Sequence, residues 1–97
     1  MRLTNQTKEK IKDILQNYNI KRAGIYGSYA RGEADEGSEI DIVVELSKKS
    51  LFELVGVKQE IEEATGLKVD ITTYNGLDNS RREGFKERVL KEEEKII

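Results

Sequence analysis

Three carboxylates occur in or beside segments whose residue types favour β-strands. Glu39 and Asp41 are two positions apart at the start of an apolar run, and Asp70 lies in a later run of β-branched residues. If the first strand includes Glu39, both side chains point to one face, roughly 6–7 Å apart along it. Asp70 reaches the same point if its strand is a neighbour. Such carboxylates repel one another, which raises their pKa values, and a bound Mg²⁺ relieves the repulsion. The pattern therefore predicts an oxygen-ligated cation site of the kind used in two-metal phosphoryl or nucleotidyl transfer.

A Gly-Ser pair at the end of an earlier strand supplies groups that suit a phosphate. Gly27 lets the backbone approach an anion closely, and Ser28 offers a hydroxyl and an N–H at the start of a short helix. Arg31 adds a fixed positive charge that suits a triphosphate. Because only twelve positions separate Gly27 from Glu39, the phosphate-binding and cation-binding groups can meet at one end of a two-strand unit.

Each of these features has an ordinary structural explanation when it is taken alone. A Gly-Ser pair is usually a turn, an acidic pair is usually solvated, and an Asp in a strand can simply face water. Asp and Glu are disfavoured inside strands, however, and here they occur together with the Gly-Ser pair. We therefore favour one functional site, made of Gly27, Ser28, Arg31, Glu39, Asp41 and Asp70.

The composition excludes several other chemistries. The chain has no Cys and no His, which removes disulfides, thiolate nucleophiles, zinc sites with Cys or His ligands and Ser-His-Asp triads. Any metal must be held by oxygen atoms, which favours Mg²⁺ or Mn²⁺. The formal net charge of −2, without a long basic run, argues against nucleic acid as an obligatory ligand.

Length and hydropathy predict one small domain. Ninety-seven residues support a single core, so we expect one domain over 1–97. No run approaches the roughly 18–20 apolar residues of a membrane span. The amino terminus also lacks the order of a signal peptide. We therefore expect a cytoplasmic protein without a membrane partner.

Hydrophobic spacing predicts an α/β chain with its candidate site at strand ends. Strands are expected at about 21–26, 40–46 and 67–73, and the apolar residues of the second strand alternate with Asp41. A turn is expected at Asn75 and Gly76. The predicted fold is a small mixed sheet of three or more strands with helices packed on one face.

Capping patterns mark the expected helices. The first helix covers about 4–19, with Thr4 as its N-cap. The next runs from a capping box of Ser50 and Glu53, with Leu51 as its first apolar position, to a stop at Gly66.

A second capping box starts the last helix. It is formed by Ser80 and Glu83, ahead of an apolar stripe. Arg81 and Arg82 then either contact phosphate or a partner, or belong to a solvated first helical turn, which is the commoner situation.

Three tyrosines near the predicted site have two interpretations. Tyr26, Tyr29 and Tyr74 lie close in sequence to the candidate residues, and Tyr29 or Tyr74 can stack on a base. A core-facing ring with a wet hydroxyl is the commoner arrangement. Farther along the chain, Ile96 and Ile97 follow an acidic run, where they form either an interface element or a frayed end.

The motif set resembles that of the DNA polymerase beta-like nucleotidyltransferase superfamily, in which a Gly-Ser pair precedes Asp-x-Asp and a later Asp. Here Gly27 and Ser28 are followed after ten residues by Glu39-x-Asp41, with Asp70 on a later strand. The run GSYARGEA and the short length resemble the minimal nucleotidyltransferases, which are typically encoded beside a HEPN-domain protein in bacteria and archaea. Element order extends the resemblance over nearly the whole chain.

This resemblance implies a nucleotidyltransferase fold, two Mg²⁺ ions and ATP. By position, Gly27 and Ser28 hold the triphosphate. The implied catalytic and metal-binding residues are Glu39, Asp41 and Asp70, the last beside the attacking hydroxyl. In members characterised as antitoxins, the enzyme adenylylates a Tyr of a HEPN toxin. The implied partner is therefore a nearby HEPN-domain protein, in a homo- or hetero-oligomer that also recognises the acceptor.

Glu39 departs from the family pattern, which usually has Asp at this position. Its extra methylene moves the carboxylate by roughly 1–1.5 Å, whereas Mg²⁺ demands near-ideal octahedral geometry. The alternative hypothesis is a catalytically weak or inactive nucleotide-binding module that neutralises its partner by binding. A third hypothesis is transfer to a small molecule or an RNA end.

Overall fold

A computed structural model describes residues 1–46 and 52–97, which form a mixed four-stranded sheet flanked by helices. The strands are β1 (Ala23–Tyr26), β2 (Ile40–Val44), β3 (Val69–Thr73) and β4 (Glu94–Lys95). The helices are α1 (Asn5–Asn17), α2 (Ser28–Arg31), α3 (Glu53–Thr65), α4 (Tyr74–Asp78) and α5 (Phe85–Glu92). The predicted α/β class and mixed sheet are confirmed. No helix in these described ranges has the length and apolar run that a membrane span needs.

The strand order β3-β2-β1-β4 brings three chain segments to one edge of the sheet. β1 pairs antiparallel with β2 and β4, whereas β2 and β3 are parallel and are joined through α3. A parallel pair needs such a crossover connection. Because β1 runs opposite to β2 and β3, its end lies beside their starts. Tyr26 pairs with Asp41, and Asp41 pairs with Asp70.

Two hydrophobic clusters hold the helices on the sheet. The main core joins α1 and α3 to one face, so the predicted packing of helices on one face holds for these two helices. Its buried side chains include Ile11 and Leu15 of α1, Ile25 of β1, Ile40, Ile42 and Val44 of β2, and Val57 and Ile61 of α3. A smaller cluster of Tyr26, Val43, Leu77 and Val89 packs α4 and α5 on the other face. This second cluster was not predicted from the sequence, which indicated helices on one face.

Two of the predicted helix ends are found where expected. The hydroxyl of Thr4 caps α1 by accepting a hydrogen bond of 3.1 Å from the backbone N–H three residues later. Gly66 ends α3 in the left-handed region at φ 72°. α3 begins at Glu53. The other members of the predicted start of this helix, Ser50 and Leu51, lie outside the described residues.

The predicted turn at Asn75 and Gly76 is wrong, because both residues lie inside α4. The Thr73 hydroxyl caps this short helix by accepting a 2.8 Å hydrogen bond from the Gly76 N–H. A favourable N-cap at the end of β3 outweighs the turn preference of the Asn-Gly pair.

The predicted capping box of Ser80 and Glu83 is also wrong. α5 begins later, at Phe85, after Gly84 in the left-handed region at φ 74°. The Ser80 hydroxyl instead accepts a 3.2 Å hydrogen bond from the backbone N–H of Arg82. Ser side chains make such local bonds in turns as well as in helix caps, so sequence spacing alone does not separate the two.

The last residues add a fourth strand that sequence patterning did not reveal. β4 pairs with β1, and the backbone N–H groups of Ile96 and Ile97 both donate to the Ala23 carbonyl, at 3.0 and 3.2 Å. Both isoleucine side chains pack against the main core. They therefore do not form a frayed end in this structure, and the interpretation as an interface element stays a prediction. A two-residue strand is too short to show a period.

Candidate functional site

An open cavity of about 330 Å³ lies at the sheet edge where β1 ends and β2 and β3 begin. Five of the six predicted site residues line it, namely Gly27, Ser28, Arg31, Asp41 and Asp70. The sixth, Glu39, contributes a carboxylate oxygen that lies within 4.8 Å of those of Asp41 and Asp70. The topology therefore brings together all six residues that the sequence singled out.

The carboxylate cluster combines one half-buried group with two exposed ones. Asp41 is half-buried, whereas Glu39 and Asp70 are exposed. Burial, followed by the negative charges of Asp70 and Glu39, raises the pKa of Asp41 to about 6. A cation bound among the three oxygens would reverse this penalty. The donor set, all hard oxygen ligands, fits a divalent ion such as Mg²⁺.

Strand alternation explains why Asp41 faces the cavity. Its neighbours Ile40 and Ile42 are fully buried in the main core, so the intervening side chain points to the opposite face. Glu39 precedes the first residue of β2 and is not part of the strand. Its carboxylate thus reaches the cluster from a loop position, through a side chain that is longer than that of aspartate.

Gly27 passes directly over the Asp41 carboxylate. Its φ is 75°, and a Cβ added there would collide with Asp41 Oδ2. Only glycine combines this backbone conformation with such close approach. The backbone thus reaches the carboxylate cluster at this position, and the Ser28 side chain follows immediately along the cavity wall.

Arg31 is held by two carboxylates that the sequence analysis did not assign to the site. Its Nη1 donates to both Glu92 oxygens at 2.9 and 3.0 Å, and its Nε donates to Glu33 at 2.7 Å. Glu92 also accepts a 3.2 Å hydrogen bond from the Gly27 N–H. Glu92 is the last residue of α5, where a carboxylate opposes the helix dipole.

One wall of the cavity is formed by Phe85 and Arg88 of α5 together with Arg82, which precedes this helix. The guanidinium carbons of Arg82 and Arg88 lie 4.3 and 5.6 Å from the Phe85 ring centroid. The Phe85 ring meets Tyr26 edge to face at 6.3 Å. Arg82 precedes α5, so the interpretation as a solvated helical turn is wrong for it. The spacing of three between these residues was the signal that could have grouped them.

The tyrosines are mainly structural. Tyr29 is 4% exposed and packs in the main core, which confirms the core-facing interpretation. Tyr26 is buried in the smaller cluster, and its hydroxyl donates to a threonine hydroxyl of β3 at 3.4 Å. The Tyr74 hydroxyl donates to Glu93, while the Arg22 guanidinium lies 3.9 Å above its ring.

Sequence comparison matches residues 9–97 to the family described as "Polymerase beta, Nucleotidyltransferase". The protein MJ0435 of Methanocaldococcus jannaschii, named as a candidate protein adenylyltransferase, is 47% identical over 91% of each chain. The protein adenylyltransferase MntA of Thermococcus cleftensis is 32% identical over 84% of this chain and 79% of its own length.

Structural comparison gives a consistent picture. A candidate minimal nucleotidyltransferase of known structure superposes with a TM-score of 0.77 and 29% identity, over 92% of this chain and 88% of that chain. A toxin-antitoxin structure with AMP-PNP superposes with a TM-score of 0.69, over 93% of this chain and 72% of that chain. At 21% identity, this second likeness concerns the fold alone.

Proposed function

Because this chain belongs to the polymerase beta nucleotidyltransferase family and is a nucleotidyltransferase, we propose that it transfers AMP from ATP to a hydroxyl of a protein. The observation that carries this proposal is the meeting of Glu39, Asp41 and Asp70 with the Gly27-Ser28 backbone in one cavity. The names of the relatives MJ0435 and MntA support a protein as the acceptor.

The carboxylates are the proposed metal ligands and catalytic residues. Glu39, Asp41 and Asp70 offer only oxygen donors, and the pKa of Asp41 is raised first by burial and then by the negative charges of Asp70 and Glu39. We expect two Mg²⁺ ions, with Mn²⁺ as a substitute. When bound, the metal supplies positive charge that offsets the phosphates and polarises the reacting phosphoryl group.

The groups around Gly27 are the proposed triphosphate site. The Gly27 backbone, the Ser28 side chain and the Arg31 guanidinium line the same cavity as the carboxylates. Amide, hydroxyl and guanidinium donors all suit phosphate oxygens. The α-phosphate would thus lie between these donors and the carboxylate cluster.

The strand order suggests the side from which the acceptor arrives. β3 is an edge strand, and its Asp70 is exposed. The acceptor hydroxyl oxygen would attack the α-phosphorus there and lose its proton to a carboxylate or to water. The bond from the α-phosphorus to the bridging oxygen breaks, and pyrophosphate leaves with that oxygen.

A HEPN-domain protein encoded nearby is the proposed acceptor, and this chain is the proposed antitoxin of the pair, acting as one domain in the cytoplasm. The family resemblance and the fold shared with a toxin-antitoxin structure support this partner. Near-neutral net charge is consistent with a protein acceptor rather than an obligatory nucleic acid.

Mass spectrometry of the partner tests the proposal directly. The chain is incubated with that HEPN protein and Mg-ATP, and we expect the mass of one AMP group on the partner. Asp41→Asn should abolish the adduct. Glu45→Gln is the matched control, because Glu45 directly follows β2 but does not line this cavity. No adduct with the wild type would refute the enzymatic proposal.

The second candidate function is neutralisation of the partner by binding alone. It is favoured by the glutamate at position 39, where the resembling family usually has Asp. In that situation Asp41→Asn would neutralise the partner as well as the wild type does, and no adduct would form. Loss of neutralisation together with loss of the adduct would instead support the enzyme.

A further inference from the structure

Glu92 accepts hydrogen bonds from two of the groups that the proposed function assigns to the triphosphate. Its carboxylate accepts hydrogen bonds from the Gly27 N–H at 3.2 Å and from Arg31 Nη1 at 2.9 and 3.0 Å. The Glu92 side chain is only 16% exposed and lines the cavity. A carboxylate is an anion with the same donor requirements as a phosphate oxygen. Both ligands therefore compete for the same donors.

The local position of Glu92 is unfavourable apart from these contacts. It is the last residue of α5, where the helix dipole disfavours negative charge. It also contributes to the raised pKa of Asp41, so it adds a negative charge to a cavity that already holds several. A residue whose charge is unfavourable at its place in a helix is typical of functional positions.

We infer that Glu92 is a specificity-determining residue, whose carboxylate stands in for a phosphate and is exchanged for it when nucleotide binds. The inference rests on the proposed function, because it needs Gly27 and Arg31 to bind the triphosphate. A peptide N–H has one hydrogen to donate, so the Gly27 N–H cannot serve Glu92 and a phosphate equally well.

This exchange favours polyphosphates that bind as a complex with a cation over polyphosphates without one. The arginines that line the cavity attract a metal-free polyphosphate, but the negative charges of Asp41, Asp70 and Glu92 in the same cavity repel it. A magnesium complex carries less net negative charge and supplies a cation for the carboxylates. Glu92 thus raises the cost of binding free polyphosphate more than it raises the cost of binding Mg-ATP.

The test measures direct binding without an acceptor, by calorimetric titration of Mg-ATP and of metal-free inorganic pyrophosphate. Glu92→Gln keeps the side-chain shape and removes the charge, so we expect about three- to tenfold tighter binding of Mg-ATP. The gain should be larger for metal-free pyrophosphate. The selectivity for the magnesium complex therefore falls in this variant.

Glu33→Gln is the matched control, because Glu33 also pairs with Arg31 but does not contact Gly27. We expect its affinities to stay within about twofold of the wild type, since exposed pairs contribute little. Thermal unfolding shows whether Glu92→Gln is folded. Glu92→Asp, which is too short to keep both contacts, should shift binding in the same direction.

The outcomes separate this inference from the proposed function. Weaker or unchanged binding in folded Glu92→Gln, with a wild type that binds Mg-ATP, would overturn the inference alone. Weaker binding would mean that Glu92 holds the site in shape instead of competing for it. A wild type that does not bind Mg-ATP would overturn the proposed function, and this inference with it.

Discussion

Asp41 and Asp70 are direct partners in the parallel register of β2 and β3, and both line the same cavity. Like charges at opposite positions destabilise a sheet. The repulsion is part of the reason that the Asp41 pKa rises to about 6. The sheet thus keeps two like charges together at the edge where Gly27 ends β1, and a cation is the simplest group that offsets them.

The first prediction concerns stability without metal. The folded pKa of Asp41, about 6, exceeds the unfolded value of about 3.9. Between these two pH values the Asp41 carboxyl is protonated in the folded state and ionised in the unfolded state. Above pH 6 it is ionised in both states, and its charge then destabilises the folded state by the full amount. Because Asp41 is half-buried, Asp41→Asn should stabilise the metal-free protein at pH 7 by only about 1 kcal/mol.

Urea unfolding with chelator between pH 4 and 8 checks this prediction. The stability difference between Asp41→Asn and the wild type should shrink as the pH falls and disappear near pH 4. Glu45→Gln should show no such trend across this range. Mg²⁺ should stabilise the wild type and not Asp41→Asn. Equal stabilities of the wild type and Asp41→Asn at pH 7 would contradict the assigned charge repulsion.

The second prediction uses two glycines that both have a positive φ. Gly27 and Gly66 have φ of 75° and 72°, but a Cβ collides with Asp41 at Gly27 and meets nothing within 4 Å at Gly66. Substitution by Ala should cost roughly 1–2 kcal/mol of stability at Gly66, which lies in the left-handed helical region. At Gly27, whose ψ of −152° places it in a region almost restricted to glycine, the cost should be at least as large. Only Gly27→Ala should also weaken Mg-ATP binding, by at least about tenfold, because its Cβ pushes the loop from Asp41.

Calorimetry and urea unfolding on both variants separate the two effects. Equal losses of Mg-ATP affinity in Gly27→Ala and Gly66→Ala would mean that the affinity follows general stability. The close approach of the Gly27 backbone to the carboxylate would then have no special role.

Sequence periodicity predicted the elements that rest on strong local signals. The alternation of Ile40, Asp41 and Ile42 marks β2 and the direction of its carboxylate, and the cap at Thr4 marks the start of α1. The parallel partnership of Asp41 with Asp70 needed only that β2 and β3 be neighbours. These features depend on residues close together in the chain or on one topological choice.

The parts that sequence did not reveal depend on distant contacts. Three consecutive glutamates at the end of α5 look like a solvated acidic run. In the structure Glu92 binds Arg31, Glu93 accepts from Tyr74, and Glu94 pairs with Lys8, so each one contacts a different part of the chain. No local pattern distinguishes these carboxylates from exposed ones. For the same reason β4 and the Glu92 contact to the Gly27 loop could not be foreseen.

The third prediction concerns the two arginines that flank Phe85. Within the described part of the chain, neither Arg82 nor Arg88 forms an ion pair, whereas Arg31 is paired with carboxylates. They are therefore positive charges that remain available to phosphate in this cavity. Replacing either one by Ala should raise the KM for Mg-ATP by about three- to tenfold, with a larger effect at low salt.

Arg81→Ala is the matched control, since Arg81 is adjacent in sequence but does not line this cavity. Steady-state kinetics with varied Mg-ATP and varied acceptor measure the two KM values separately. An increase confined to the KM for the acceptor would contradict the assignment of Arg82 and Arg88 to the nucleotide.

The fourth prediction concerns the side-chain length at position 39. Glu39 lies just before β2, and one of its carboxylate oxygens is already within 4.8 Å of those of Asp41 and Asp70. The extra methylene of Glu39 therefore lets a carboxylate on the loop reach the other two carboxylates. Glu39→Asp should change the transfer rate by less than about threefold, because the loop can adjust by the roughly 1–1.5 Å that separates the two side chains.

Glu39→Gln should lower Mg²⁺ affinity, since it removes one charged oxygen ligand. Transfer assays with the partner and Mg²⁺ titrations measure both effects. A gain of more than about tenfold in Glu39→Asp, equivalent to 1.4 kcal/mol of barrier, would show that the native glutamate impairs catalysis and would favour neutralisation by binding.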